Sequence, residues 1–243
     1  MRADLLHAQA SIDWAVAQLP SFQSRLDAWL QLNIEAGTID FDPNSPDWFV
    51  VAIEKAPLPL EFLVEVGAYI NAVRSSLDIL ATSLDNRFSI TNPKNAYFPI
   101  VASEALFRSG KGYKGSDFVQ RLPGAERSIL ESLKPYQGGN TVLWALHQLD
   151  IMRKHRRLLS IVYFPTSLQF RGIPDFRPTA KPVPIEDKTI LGFVRKSVTN
   201  YDMKIFANIA FDETVIGPQK PIVLVLNEFA RYASAIIKMF DAP

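Results

Sequence analysis

The sequence predicts an α+β protein in which a bundle of long antiparallel helices packs with an antiparallel β-sheet. Two long segments carry apolar residues in steps of three and four, which is the period of an amphipathic helix. Residues 158–213 instead contain short β-branched and aromatic runs divided by proline-rich connections, a pattern typical of strands. A further apolar segment of helical period, 218–240, is predicted to return to the bundle. We therefore expect a single domain, 1–243, whose helical bundle lies within 1–165.

The first predicted helix contains a proline, Pro20, in its middle. Its apolar seam keeps the same phase on both sides of Pro20, so the pattern predicts one long helix rather than two. The residues of this seam are Leu5, Ala8, Ile12, Ala15, Leu19, Phe22, Leu26 and Trp29. A β-hairpin is predicted near 38–55, because two β-rich runs flank the turn-forming residues 42–47.

The second predicted helix begins after Pro57 and Pro59, where proline is best tolerated. It carries a second apolar seam of the same period, and two helices with matching seams are expected to pack side by side. The residues of this seam are Leu63, Val66, Ile70, Val73, Leu77, Leu80 and Leu84.

Five consecutive basic residues, 153–157, follow Met152 near the end of a later predicted helix. The helical period places His155 on the apolar stripe and Arg153, Lys154 and Arg157 outside it. Two interpretations remain open. The cations either complement the negative end of the helix dipole or contact phosphates. The residues predicted to contact phosphate or nucleic acid are Lys154, Arg156 and Arg157.

Arg74 and Asp78 lie four residues apart, on one face of the second predicted helix. If His155 faces the core, its imidazole needs a polar partner there, and Asp78 is the acceptor that we predict. The predicted polar cluster comprises Asn71, Arg74, Asp78, His155 and Arg156. Such a cluster either fixes the register of two helices or forms a functional site, and the sequence leaves both interpretations open.

An ordered set of short motifs gives the chain a family resemblance over roughly residues 1–165. These motifs are INAVRSSLDILATSL, YFPI, LKPYQGG and LWALHQLDIMRKHRRLL. They resemble a group of uncharacterised bacterial HEPN-like helical-bundle proteins, in which the corresponding patterns read R-S-x-L-D-H and D-K-H-R. Two positions depart from these patterns: Ile79 replaces the motif histidine, and Arg153 replaces the motif acid.

The resemblance implies an RNA-related function, because HEPN domains of many toxin and defence proteins cut RNA with an arginine and a histidine. Isoleucine neither transfers protons nor donates hydrogen bonds. We therefore expect a catalytically inactive binding or regulatory module, linked to toxin–antitoxin systems or phage defence. The alternative is a metal-independent ribonuclease that uses Arg74, Asp78 and His155.

Composition narrows the remaining classes of function. The formal net charge is +1. The chain has no cysteine, and this absence excludes disulfides, thiolate catalysis and Cys-ligated zinc. No apolar run has the length of a membrane span, and the pattern favours a cytoplasmic protein. The three histidines are scattered, so we predict no metal site and no cofactor. RNA and another protein are the expected partner classes, and a homodimer is left open.

Overall fold

The α+β fold class is confirmed by a computed structural model of the chain. The structure describes residues 1–88, 96–109, 114–171, 175–179, 184–186, 188–197, 202–217 and 220–241. These residues form seven α-helices, six β-strands and a short 3₁₀ helix at Ala3–Leu5.

The helices are α1 (Leu6–Asn33), α2 (Leu60–Arg87), α3 (Glu104–Ser109), α4 (Lys114–Arg121), α5 (Gly124–Leu133), α6 (Thr141–His155) and α7 (Ile222–Met239). The strands are β1 (Ile34–Ile39), β2 (Asp47–Glu54), β3 (Ile161–Arg171), β4 (Arg177–Pro178), β5 (Thr189–Arg195) and β6 (Asp202–Phe211). The prediction of one continuous first helix across Pro20 is confirmed.

Contacts divide the chain into two compact units, and the first of them is helical. It comprises Met1–Leu19, Glu61–Leu159 and Val223–Pro243. The second seam and the Leu5–Leu19 part of the first supply its core: Leu5 and Ile70, for example, have no exposed surface. Helix α7 joins α1 through a hydrogen bond that the Ser234 hydroxyl donates to Gln9 Oε1 at 3.1 Å. Leu63 is half-buried rather than buried, and so is Trp29, which belongs to the second unit with Phe22 and Leu26.

The second unit, Pro20–Leu60 and Ser160–Ile222, contains all six of these strands. The predicted hairpin is present as β1 and β2, which pair antiparallel from Ile34 opposite Glu54 to Ile39 opposite Phe49. The expectation of one sheet built mainly from 158–213 is wrong. Among the described residues there are two sheets, in the orders β1-β2-β5-β4 and β3-β6. Strand β5 pairs with the hairpin instead. The sequence did not indicate this pairing, because strand pairing depends on long-range packing that local residue patterns do not reveal.

The β3–β6 sheet is a two-stranded antiparallel ribbon. Its register shifts between Pro165 and Ser167, where β3 contains a bulge or irregularity. The carbonyl of Tyr163 accepts a hydrogen bond of 2.7 Å from the Ile185 N–H. Strand β3 therefore has a contact on the side that faces away from β6.

Candidate functional site

Helix α6 carries the basic residues singled out in the sequence. Its first turn is capped by Asn140, whose side chain accepts a hydrogen bond of 3.0 Å from the Leu143 N–H. The helix ends at His155, and Arg156 follows it in a non-helical conformation with φ −129° and ψ −62°. The basic residues 153–157 therefore straddle the end of a helix instead of lying along one.

The predicted position of His155 is wrong. The side chain is exposed, although the apolar period placed it towards the core. Because the helix ends at this residue, the helical period does not extend beyond it, and no packed face holds the imidazole. Arg156, which we also placed in the polar cluster, is exposed as well.

A buried polar cluster does exist between α2 and α6, but it contains a different histidine. Arg74 is 6% exposed, and its Nε donates a hydrogen bond of 3.4 Å to His147 Nδ1. Its Nη1 lies 2.8 Å from Asp78 Oδ1, and Nη2 donates to the Phe98 carbonyl at 3.5 Å. The Nη1 contact is an ion pair whose geometry is not that of a hydrogen bond. Nη1 is therefore one of the buried atoms without a hydrogen-bond partner.

Asp78 has a second partner besides Arg74. Its Oδ1 accepts a hydrogen bond of 3.0 Å from the Phe98 N–H. Both backbone groups of Phe98 are therefore held by α2, the carbonyl by Arg74 and the N–H by Asp78. The cluster thus joins α2, α6 and the YFPI segment that contains Phe98, and His147 takes the position that we had assigned to His155.

His147 is held in its neutral form. Burial, and secondly the positive charge of Arg74, lowers the pKa of His147 from 6.5 to about 4. Because an arginine only donates hydrogen bonds, the Nδ1 atom that accepts from Arg74 has no proton, and the proton of the neutral ring lies on Nε2. In this tautomer His147 has no second free lone pair with which to accept a proton from a substrate.

Two of the basic residues are paired with one buried acid. Asp150 is 4% exposed, and it accepts from Arg153 Nε at 3.2 Å and from Lys154 Nζ at 2.6 Å. Arg153, which we expected to point outwards, is half-buried and crosses α2 at Gly67: a Cβ added to Gly67 would lie 3.0 Å from Arg153 Cδ. The free charge at this helix end is therefore smaller than the sequence implies.

The remaining predicted residues lie beside the cluster. Asn71 is half-buried and accepts from the Ser75 hydroxyl at 3.4 Å, one turn before Arg74. Ile79, which stands where the resembled pattern has a histidine, lines a separate surface cavity together with His7. Arg74 makes its hydrogen bonds and ion pair with His147, Phe98 and Asp78 instead.

The described residues include no group of three or more histidine, cysteine, aspartate or glutamate side chains that can hold a metal ion. None of the helices in the described part of the chain is both long and apolar enough to cross a membrane.

Comparisons with known proteins assign the chain to no family. No family model, curated protein or solved structure matches the chain.

Proposed function

We propose that this protein is a HEPN-like binding or regulatory module that contacts RNA phosphates through the exposed basic residues 154–157 and has no ribonuclease activity. One observation carries the proposal. The arginine in the position expected for catalysis is buried and engaged with protein groups, whereas the basic side chains at the end of α6 are exposed.

The exposed end of α6 supports the binding part of the proposal. Arg156 and Arg157 follow the helix directly, and both side chains are exposed. A guanidinium is planar and always charged, which suits it to phosphate oxygens. Lys154 contributes less to this surface, because its ammonium is already paired with Asp150. We assign the principal phosphate contacts to Arg156 and to Arg157, whose Nη1 also donates to the Leu158 carbonyl at 3.0 Å.

The positions of the histidines support the loss of cleavage. His155 lies eight residues beyond His147, which corresponds to roughly 12 Å along a helix axis. It is therefore remote from the Arg74 cluster. His147 is close to Arg74, but its tautomer and its low pKa suit a hydrogen-bonded structural residue better than a general base at neutral pH.

One observation favours the ribonuclease alternative. Arg74 and His147 come from facing helices and meet directly, and an arginine with a histidine is the residue pair that this chemistry uses. If cleavage occurs, we expect it to depend on His147 and not on His155, which the alternative had named. The binding experiment therefore includes a cleavage measurement.

The binding experiment measures the affinity for a fluorescein-labelled single-stranded RNA at several salt concentrations by fluorescence anisotropy. Each phosphate contact contributes a slope of about −0.7 in log affinity against log salt, so two arginine contacts give about −1.4. The double variant Arg156→Gln/Arg157→Gln should lose that contribution. The charge-matched control Arg25→Gln/Lys204→Gln removes two exposed cations elsewhere and should keep the slope of the parent protein.

A third variant tests the same surface in the opposite direction. Asp150→Asn releases Lys154 and Arg153 from their shared acid, so it should steepen the slope by about −0.7 for each cation that reaches a phosphate. Absence of RNA binding by the parent protein, or an equal loss in the control double variant, would refute the proposal. Cleavage of the same RNA in EDTA that disappears in His147→Gln would establish the ribonuclease instead.

The family resemblance adds a cellular setting to this proposal, namely toxin–antitoxin systems or phage defence. In such a setting an RNA or a partner protein is the expected ligand of the basic surface.

A further inference from the structure

A second candidate site lies in the helical unit, away from α2 and α6. It is a cavity of about 310 Å³ whose walls come from α3, α4, the end of α5 and the turn that follows. This volume lies at the lower end of the range for small-molecule sites. The cavity therefore suits a compact ligand.

The base of the cavity is aromatic. Phe107 is 4% exposed and Tyr136 is 9% exposed, and their rings are 5.9 Å apart. Burial raises the pKa of Tyr136, so its phenol stays protonated at neutral pH, and it interacts with Glu104. The turn that holds Tyr136 is fixed to the chain after YFPI, because the Val101 N–H donates to the Pro135 carbonyl at 3.0 Å.

One wall of the cavity carries an ion pair. Arg108 Nη2 lies 2.7 Å from Glu104 Oε1, and Arg108 Nε donates to the same oxygen at 2.8 Å. The hydrogen bond from Arg108 lowers the pKa of Glu104, which is therefore ionised at neutral pH. Both arginine contacts converge on Oε1, and the Arg108 side chain is 71% exposed, so further donors of its guanidinium face solvent.

The last turn of α5 adds a second acid and a second base. Glu131 and Lys134 line the cavity three residues apart, Glu131 close enough to Arg108 and Lys134 close enough to Glu104 to interact electrostatically. Lys134 has a left-handed backbone, with φ 48° and ψ 56°, a conformation that glycine and asparagine adopt more readily than lysine. This left-handed residue ends α5, and its side chain lines the cavity.

We infer that this cavity binds a free α-amino acid, with the ligand's carboxylate at Arg108 and Lys134 and its ammonium at Glu131. The two acids and two bases of the lining sum to zero formal charge, with both signs present. This balance matches a zwitterion. A phosphate-bearing ligand fits less well, because Glu104 and Glu131 would oppose it. The inference is independent of the proposed RNA binding.

Isothermal titration calorimetry with each of the twenty common L-amino acids tests the inference on the full chain. We expect at least one to bind with a dissociation constant below about 1 mM. The N-acetyl and carboxamide derivatives of that amino acid each lack one charge and should bind about tenfold more weakly or worse, since each leaves a charged partner unmatched.

Two variants locate the binding in this cavity. Lys134→Asn removes the ammonium but suits the left-handed backbone, so it should fold at least as well as the parent while its affinity falls about tenfold. Glu131→Gln should weaken binding similarly, and Lys238→Gln, at the end of α7, is the control that should not. The inference is overturned if no amino acid binds, if the capped derivatives bind as well as the free amino acid, or if both cavity variants keep the affinity of the parent protein.

Discussion

His147 couples the stability of the helical unit to pH. In the folded protein its imidazole is partly buried beside Arg74, and its pKa is about 4 rather than 6.5. The folded state therefore binds fewer protons than the unfolded state between these two values. Above about pH 6.5, His147 therefore does not change the free energy of unfolding. As the pH is lowered from about 6.5 to about 4, protonation of His147 lowers the free energy of unfolding, and below about pH 4 this loss is complete.

We expect the parent protein to lose up to about 3 kcal/mol of unfolding free energy through His147 between pH 7 and pH 4, since each pKa unit corresponds to about 1.4 kcal/mol. Urea unfolding at several pH values measures this loss. In His147→Gln the loss should be smaller by the same amount. His155→Gln is the matched control, because that side chain is exposed, and it should retain the parent's pH dependence. Equal pH dependence in the parent and His147→Gln would contradict the assignment.

Residue spacing predicted one half of the polar cluster and missed the other. The four-residue separation of Arg74 and Asp78 correctly indicated an ion pair on one helix face. His147 was missed because it lies beside the apolar stripe of Ala145 and Leu149, where periodicity alone does not distinguish a half-buried position from an exposed one. The backbone of Phe98, which completes the cluster, has no side-chain signature in the sequence at all.

At the scale of elements, the packing of the Arg153 side chain against α2 depends on Gly67. This glycine lies inside a helix, where alanine is ordinarily more stable by about 1 kcal/mol. The stem of Arg153 occupies the space that a Cβ would need. The glycine thus allows Arg153 to lie against α2 while its Nε reaches Asp150.

A double-mutant cycle tests this contact. Gly67→Ala should gain clearly less than about 1 kcal/mol in the parent protein, and it should recover that gain in an Arg153→Ala background, with a coupling of at least about 0.5 kcal/mol. Gly124→Ala serves as the control, because a Cβ there meets nothing within 4 Å. Its effect should be the same in both backgrounds. Additive effects of Gly67→Ala and Arg153→Ala would show that the two residues do not interact.

Helices were predicted more fully than strand pairing, for a physical reason. An apolar seam is encoded within one segment, so the bounds of α1 and α2 follow closely from Leu5–Trp29 and Leu63–Leu84. The partner of a strand lies elsewhere in the chain. The pairing of β5 with β2, across more than a hundred residues, was therefore not predicted.

At the scale of the whole molecule, each unit is assembled from separated parts of the chain. The helical unit combines three segments and the strand-containing unit combines two. The sequence predicted helices at α1, α2, α6 and α7 and strands in the hairpin and within 158–213. It did not predict that the hairpin β1–β2 belongs with the later strands, because such grouping arises from tertiary contacts.

We expect the folded protein to be independent of metal ions. The three histidines are scattered, and no cluster of metal ligands occurs among the described residues. Thermal unfolding of untagged protein before and after dialysis against EDTA, with elemental analysis of the same samples, measures this. Both melting temperatures should agree. Zinc retained in stoichiometric amount, or a lower melting temperature after EDTA, would show that the chain has a metal site.

The proline in β3 affects whether another strand can pair with this edge. An open strand edge is a template on which another chain can add a strand. In an antiparallel strand, the backbone N–H and C=O groups of residues two apart point to the same edge. The carbonyl of Tyr163 points to Ile185, away from β6. The backbone nitrogen of Pro165, which has no hydrogen, therefore lies on that outer edge too. A proline at this position removes a donor that an incoming strand would need, without removing a hydrogen bond between β3 and β6. The register shift that follows Pro165 further interrupts the ladder, so β3 is a poor template for the addition of another strand at this position.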